Sequence, residues 1–143
     1  MTTIREQIIQ KIIDRLKRLN PKVYRRETYE DESKFVCIWD DIQETEKLQY
    51  GISRHTMSVM VEYMVSKSAN PPEIAVAMYA ELIKAVFLNQ SEEFDPTLDG
   101  LVEHLNETSF QPFTPESGLQ VTGAGVSFEV IYQTKNGNPF ETP

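Results

Sequence analysis

Cysteine is nearly missing from this 143-residue chain. Cys37 stands alone, so no internal disulfide can form, and the pattern fits a protein made in a reducing cytoplasm. Long apolar runs are missing too: none approaches the ~18 consecutive residues that a membrane-spanning helix needs. The opening Met1-Thr2-Thr3-Ile4-Arg5-Glu6 carries charges and no apolar h-region, so the sequence predicts no signal peptide. There is no Gly-rich phosphate cradle, nucleophile elbow or Cys-X-X-Cys pair. Histidine occurs only as His55 and His104, at a spacing that matches no metal motif. What is left has ordinary globular composition. We expect one domain over 1–143, long enough to bury roughly two-thirds of its unfolded surface.

Charge is present in abundance but unevenly spread. The formal net charge is -8. Residues 1–26 hold eight Lys/Arg against two acids (Glu6, Asp14), while the other residues hold six against twenty. A strongly acidic body disfavours general nucleic-acid binding, because phosphates are drawn to positive surface. The basic start reads either as a solvated helix face plus a loop, or as one half of a self-complementary pair in which it meets an acidic patch on the next copy.

Periodicity supplies the elements. Ile4, Ile8, Ile9, Ile12, Ile13, Leu16 and Leu19 recur at three- and four-residue spacing and predict a helix over 3–19, ended by Asn20-Pro21. A short strand is expected over 23–28 and a turn at 30–33. Lys34 to Ile42, rich in β-branched and aromatic residues, predicts a strand buried on much of both faces. Gln43 to Arg54 is polar and reads as a long loop. Alternation from Met57 to Ser66 predicts the next strand. Asn70-Pro71-Pro72-Glu73 is a helix start, with Asn70 as cap, for a nearly all-apolar helix to about Leu88. A strand is expected over 101–113, broken by Pro112, then a loop over 114–118. The last strand runs over 119–135, with Gly123 and Gly125 marking a bulge or bend. The expected fold is α+β, a mainly antiparallel sheet of about five strands with two helices on one face, in the order α-β-β-β-α-β-β. Asn136-Gly137-Asn138-Pro139 is a turn opening a tail, and we read 136–143 as an extended C-terminal arm.

Candidate chemistry is thin. Cys37 lies in a strand beside Phe35 and Trp39, where a cysteine behaves as a small hydrophobe. Asp40 and Asp41 are neighbours on a strand and should point to opposite faces, a poor geometry for a carboxylate pair. Asp95 and Asp99 lack the rest of a calcium loop. Ser53 with His55 is a pair without a third member. The sequence therefore gives no catalytic residue, metal ligand or cofactor site to expect, and the chain does not read as an enzyme.

One combination is distinctive. After the capped apolar helix come Asp95, Thr97, Leu98, Gly100, Leu101 and Val102 in "DPTLDGLVEHL". A final strand then closes on Tyr132 and Thr134 before Gly137 and Pro139. In this order the chain resembles the tail terminator family of long-tailed bacteriophages, the lambda-type minor tail protein U and its relatives. The likeness covers the whole chain in element order and some 40 residues in motif.

The resemblance implies a virion tail protein, assembled in the bacterial cytoplasm. It would form a ring, expected to be hexameric, that caps the tail tube, ends its elongation and joins the tail to the head or neck connector. The implied partners are further copies of itself, the tube protein and the connector. DNA would cross the lumen without specific binding, and no membrane is involved. A head-closure or neck protein, or the cap of a contractile tail or injection system, is the alternative, and a small ligand-binding or enzymatic domain a more distant one. For the ring contact the basic segment nominates Arg15, Arg18, Arg25 and Arg26. For docking on the tube the 43–54 loop nominates Glu44, Glu46, Lys47 and Arg54.

Overall fold

A computed structural model describes residues 2–26, 34–66, 71–113 and 121–143. Helix α1 (Ile4–Leu16) begins where Thr3 caps it, its hydroxyl accepting from the Glu6 N–H at 3.1 Å. Every member of its isoleucine and leucine stripe is buried. The helix is shorter than the 3–19 expected. Lys17, Arg18 and Leu19 close onto the carbonyls of Ile13, Arg15 and Leu16, a tightening turn ahead of Asn20-Pro21.

Strand β1 (Val23–Arg25) pairs in parallel with β2 (Lys34–Lys47), Val23 opposite Val36. β3 (Ile52–Ser66) runs antiparallel to β2, and after helix α2 (Pro71–Phe87) come β4 (His104–Phe113) and β5 (Val121–Lys135). β5 inserts between β3 and β4, giving one five-stranded sheet in the order β1-β2-β3-β5-β4. The α-β-β-β-α-β-β order is as expected, but the sheet is mixed, because β1 returns to β2 as a parallel edge. The expected turn at 30–33, the Asn70 cap and the 114–118 loop lie outside the described residues.

Four expectations need correcting. First, Gln43–Arg54 is not a loop: β2 and β3 continue as a hairpin in which Lys47 pairs with Ser53 and only a short turn at 48–51 links them. The polar composition misled because the covered positions of this ribbon end, such as Gln43 and Ser53, are themselves polar and the rest is in solvent, so there is no apolar alternation to see. Second, Gly123 and Gly125 sit in regular register with Met64 and Glu62. The bulges fall between Asp40 and Gln43 and between Glu107 and Ser109. The first of these leaves Ile42 69% exposed, not in the core. Third, residues 98–102 form a turn, so β4 starts at His104; Pro112 is accommodated within it because β4 is an edge strand. Fourth, residues 136–143 turn back instead of reaching away. The Lys135 N–H donates to the Glu141 carbonyl, the Lys135 ammonium meets the Glu141 carboxylate at 2.7 Å, and the Ile4 N–H donates to the Pro139 carbonyl.

The pleat divides the sheet into two faces. Val36, Ile38, Met57, Val59, Val61, Tyr63, Val126, Phe128, Val130 and Tyr132 form the main core with both helices. The opposite face carries a second, smaller cluster of Phe35, Cys37, Met64 and Val121 with Tyr24, flanked by Trp39 and Phe113. It bears no helix. Cys37 is buried there, as expected of a small hydrophobe.

Candidate functional site

The Asp95-Pro96-Thr97-Leu98-Asp99-Gly100 segment folds around one carboxylate. Asp95 accepts from the N–H groups of Thr97 and Asp99 and from the Thr97 hydroxyl, and the Thr97 hydroxyl in turn accepts from the Gly100 N–H. Leu98, Asp99 and Gly100 all have positive φ, held because Leu98 is fully buried and because the Asp95 carboxylate takes the Asp99 N–H. Arg15 completes the arrangement. It donates to Asp95 Oδ2 at 2.8 Å and to the carbonyls of Asp95 and Val86. Burial opposes ionisation of Asp95, but the Thr97 hydroxyl, the two N–H groups and Arg15 outweigh it and hold the carboxyl well below the usual carboxylate range.

Arg15 is only 4% exposed. Placed among the expected subunit contacts, it is committed inside its own chain. Arg25 and Arg26 are engaged as well. The Asp40 carboxylate is reached by Arg5 at 3.3 Å, by Arg25 at 3.2 Å and by Arg26 at 3.7 Å, and Arg25 also holds Glu6. Burial raises the pKa of Asp40, yet its arginine partners leave it depressed; Glu6 is lowered by its bond to Arg25. Asp40 is therefore a hub tying α1, β1 and β2 together. Of the four arginines nominated, only Arg18 keeps an exposed head group with no acidic partner among the described residues, donating to the Asn89 carbonyl.

At the other end of α1 a polar chain runs under the C-terminal turn. Gln43 Oε1 accepts from Arg5 at 3.0 Å and from the Tyr132 hydroxyl. Because arginine can only donate, the Gln43 amide NH2 must face His55 Nδ1, 3.3 Å away. The Thr45 hydroxyl also contacts Nδ1, at 2.9 Å, and Nε2 lies 2.8 Å from the Thr134 hydroxyl. With a donor at Nδ1, neutral His55 carries its proton on Nε2 and gives it to Thr134. Burial lowers the His55 pKa. Ser53 is turned to Asn136, so the Ser53–His55 pair seen in sequence is not a nucleophile–base pair. The groups converge on a cavity of about 410 Å³ beneath Asn136–Pro139.

The nominated docking residues lie at the hairpin end. Glu44, Glu46 and Lys47 are on β2 and Arg54 on β3, all on the ribbon beyond the helices; Arg54 is bonded to Glu103. Tyr50, at the tip, is 94% exposed and has φ +64°.

The helix-free face holds a concavity of about 650 Å³ over Trp39, Met60 and Ser127. Its carboxylates are Asp40, Asp41, Glu62 and Glu129, against the single cation Arg26. Burial raises the Glu62 pKa, and the nearby Trp39 indole opposes the shift without closing a hydrogen bond. No group of three or more His, Cys, Asp or Glu residues among the described residues is placed to hold a metal ion, and no helix among them is long and apolar enough to cross a membrane. Sequence reasoning missed the Arg15–Asp95 tie and the Asp40 hub. The first was visible in outline, because Arg15 interrupts the apolar stripe of α1 at a position three residues after Ile12. Compared with protein-family models and with curated proteins, the chain matches none.

Proposed function

We propose that the chain is a structural subunit of a bacteriophage tail, which assembles into a ring that caps the tail tube, ends its elongation and joins the tail to the head or neck connector. The observation that supports this most directly concerns the residues that carry the family resemblance. Asp95, Thr97, Leu98 and Gly100 build the clamp that receives Arg15 near the C-terminal end of α1, and Pro139 receives the first N–H of α1. Those motif positions are fixtures for one helix against one sheet, which is the rigid block a ring subunit requires. The surfaces left over suit assembly. The β4 edge of the sheet is blunted by Pro112 and a bulge, and the other edge is the three-residue β1, beyond which β2 carries its own bulge, so copies meet through faces and not by adding strands. Exposed Ile42, Leu48 and Tyr50 lie on or beside the hairpin, while Val76 lies on α2 and Phe94 just beyond it. Separated patches of this kind suit the unlike contacts of a head-to-tail ring.

The test is mass by light scattering coupled to size exclusion over a wide concentration range, with and without tail tubes. A species near six subunits, formed on concentration or on tube addition together with arrested tube growth, is the expected result. A monomer under every condition overturns the proposal.

A further inference from the structure

We propose that the cavity beneath the C-terminal turn is a binding site for a small organic carboxylate with an apolar body, held by the Lys47 ammonium and the Thr134 hydroxyl. The cavity measures about 410 Å³ and lies between β2, β3, β5 and the start of α1, under Asn136–Pro139. That volume is within the range of small-molecule sites. Binding needs one copy of the chain only, so the site stands or falls apart from the ring.

The floor of the cavity continues the helix-covered face of the sheet, with its residue types changed. Register sets Lys47 opposite Ser53 and Thr45 opposite His55, and these in turn face Thr134 and Tyr132 on β5. The next pair inward on that face is Met57 with Val130, both in the main core. At the cavity, polar side chains take over from apolar ones, and Ser53, His55 and Thr134 are all buried. Burying polar groups costs stability. Breaks of this kind in a core pattern collect at functional sites.

Acceptors at the cavity are spent and donors are left. Gln43 Oε1 accepts from Arg5 and Tyr132, Asn136 Oδ1 from the Ser53 hydroxyl, and Asn138 Oδ1 from the Phe140 N–H. No other side-chain carbonyl oxygen lines the cavity among the described residues. Thr134 takes the Nε2 proton of His55, so its own proton is free to be given. The amide NH2 groups of Asn136 and Asn138 and the Lys47 ammonium have no acceptor among the described residues. The charged lining residues are Arg5 and Lys47, with no carboxylate beside them, in a chain of net charge -8. Arg5 is held by Asp40, whereas Lys47 has no such partner among the described residues. Alternation along β2 puts Glu44 and Glu46 on the opposite face from Lys47.

A carboxylate brings two acceptor oxygens and one negative charge, which matches these donors. The Tyr132 ring, 4.7 Å from the His55 imidazole between centroids, and Pro139 add apolar wall. The rest of the ligand is therefore apolar and not a second charged group.

The test is an amide-resolved NMR titration of the full chain with benzoate, benzamide and inorganic phosphate at constant ionic strength. Benzoate should give saturable shifts at Thr45, Ser53, Thr134 and Asn136–Asn138. Benzamide keeps the ring and loses the charge, and should bind about tenfold more weakly, the scale of a hydrogen bond to a charged group. Lys47→Gln and Thr134→Val should each raise the benzoate dissociation constant about tenfold, and Lys47→Arg should recover most of the first loss. Lys47 is exposed, so its replacement leaves the core alone and decides the outcome even where Thr134→Val unfolds. Benzoate that never saturates at millimolar concentration, or that binds Lys47→Gln as well as wild type, overturns the site. Benzamide or phosphate binding as tightly as benzoate overturns the carboxylate assignment.

Discussion

Arg15 and Asp95, eighty residues apart in sequence, meet at 2.8 Å where α1 passes the turn after α2. The guanidinium is buried and also satisfies two carbonyls, so it joins three stretches of chain. Removing one partner leaves the other charge without compensation. Arg15→Ala should cost about 3–5 kcal/mol in urea denaturation, the range for breaking a buried pair. A loss below about 1 kcal/mol, the size of an exposed pair, would mean that the turn relaxes and hydrates Asp95.

The same carboxylate should shape stability in acid. Its pKa is depressed in the folded chain, so its contribution is present above the unfolded carboxylate value of about 3.9 and is lost as pH falls below that. Asp95→Asn should be less stable than wild type at pH 7 and should flatten the decline between about pH 4 and pH 2. Parallel curves for the two proteins would assign the acid sensitivity to other carboxylates, Asp40 first among them.

His55 gives a second pH effect in a different window. Nδ1 faces the Gln43 amide donor, so protonating it places two donors against each other. Because the folded pKa is lowered by burial, the unfolded chain binds the proton more readily. Stability should therefore fall as pH drops below about 6.5, the ordinary histidine value. The loosened element should be the C-terminal turn, which contacts this cavity through Asn136–Pro139. Hydrogen exchange at the Ile4 amide, bonded to Pro139, should accelerate between pH 7.5 and 5.5 beyond the intrinsic trend. His55→Gln should abolish that excess.

How much of this could be read from residues alone depended on whether a single period governed the segment. The α1 stripe, the 57–66 alternation and the apolar α2 each bury one consistent set of side chains, and all three elements formed, α1 ending three residues earlier and β3 starting five residues earlier than expected. Residues 43–54 failed because the covered positions of this hairpin, Gln43 and Ser53, are polar and its other face is in solvent, which leaves no hydrophobic trace. The parallel pairing of β1 failed because three residues carry no orientation signal; that choice is made by where the chain returns to β2. The site residues divide similarly. Net charge located the basic segment, but only the fold shows that Arg15, Arg25 and Arg26 are consumed by Asp95, Glu6 and Asp40. Composition counts charges and is blind to their partners.

Gly123 and Gly125 offer a packing test. A Cβ at Gly125 would lie 2.6 Å from Phe113 Cε2 and 3.1 Å from Met60 Cε, both ends of side chains. A Cβ at Gly123 would collide with the Tyr63 carbonyl oxygen, which is backbone in the neighbouring strand. Gly125→Ala should destabilise by about 1–3 kcal/mol, as overpacking does, and Phe113→Leu should recover part of it. Gly123→Ala should cost more, and Met64→Ala should not rescue it, because the obstacle does not move. Equal costs and equal rescue at the two positions would show that β5 can shift away from β3.

Tyr50 separates folding from docking most cleanly, because its two roles oppose each other. Its side chain is almost entirely in solvent at the hairpin tip and makes no hydrogen bond or ring contact among the described residues, while its backbone is left-handed, a conformation that asparagine adopts more readily than tyrosine. Tyr50→Asn should therefore raise stability, by an amount bounded by the ~1–2 kcal/mol cost of that conformation for an ordinary residue. If the hairpin meets the tail tube, the same substitution removes an exposed aromatic of the kind that anchors interfaces. Capping should then weaken, measured as longer tubes at a fixed ratio of this chain to tube protein. A protein that is more stable and caps worse fits a tip kept strained for its partner. One that is more stable and caps equally well would remove the hairpin tip from the docking surface, leaving Glu44, Glu46, Lys47 and Arg54 to be tested by charge reversal.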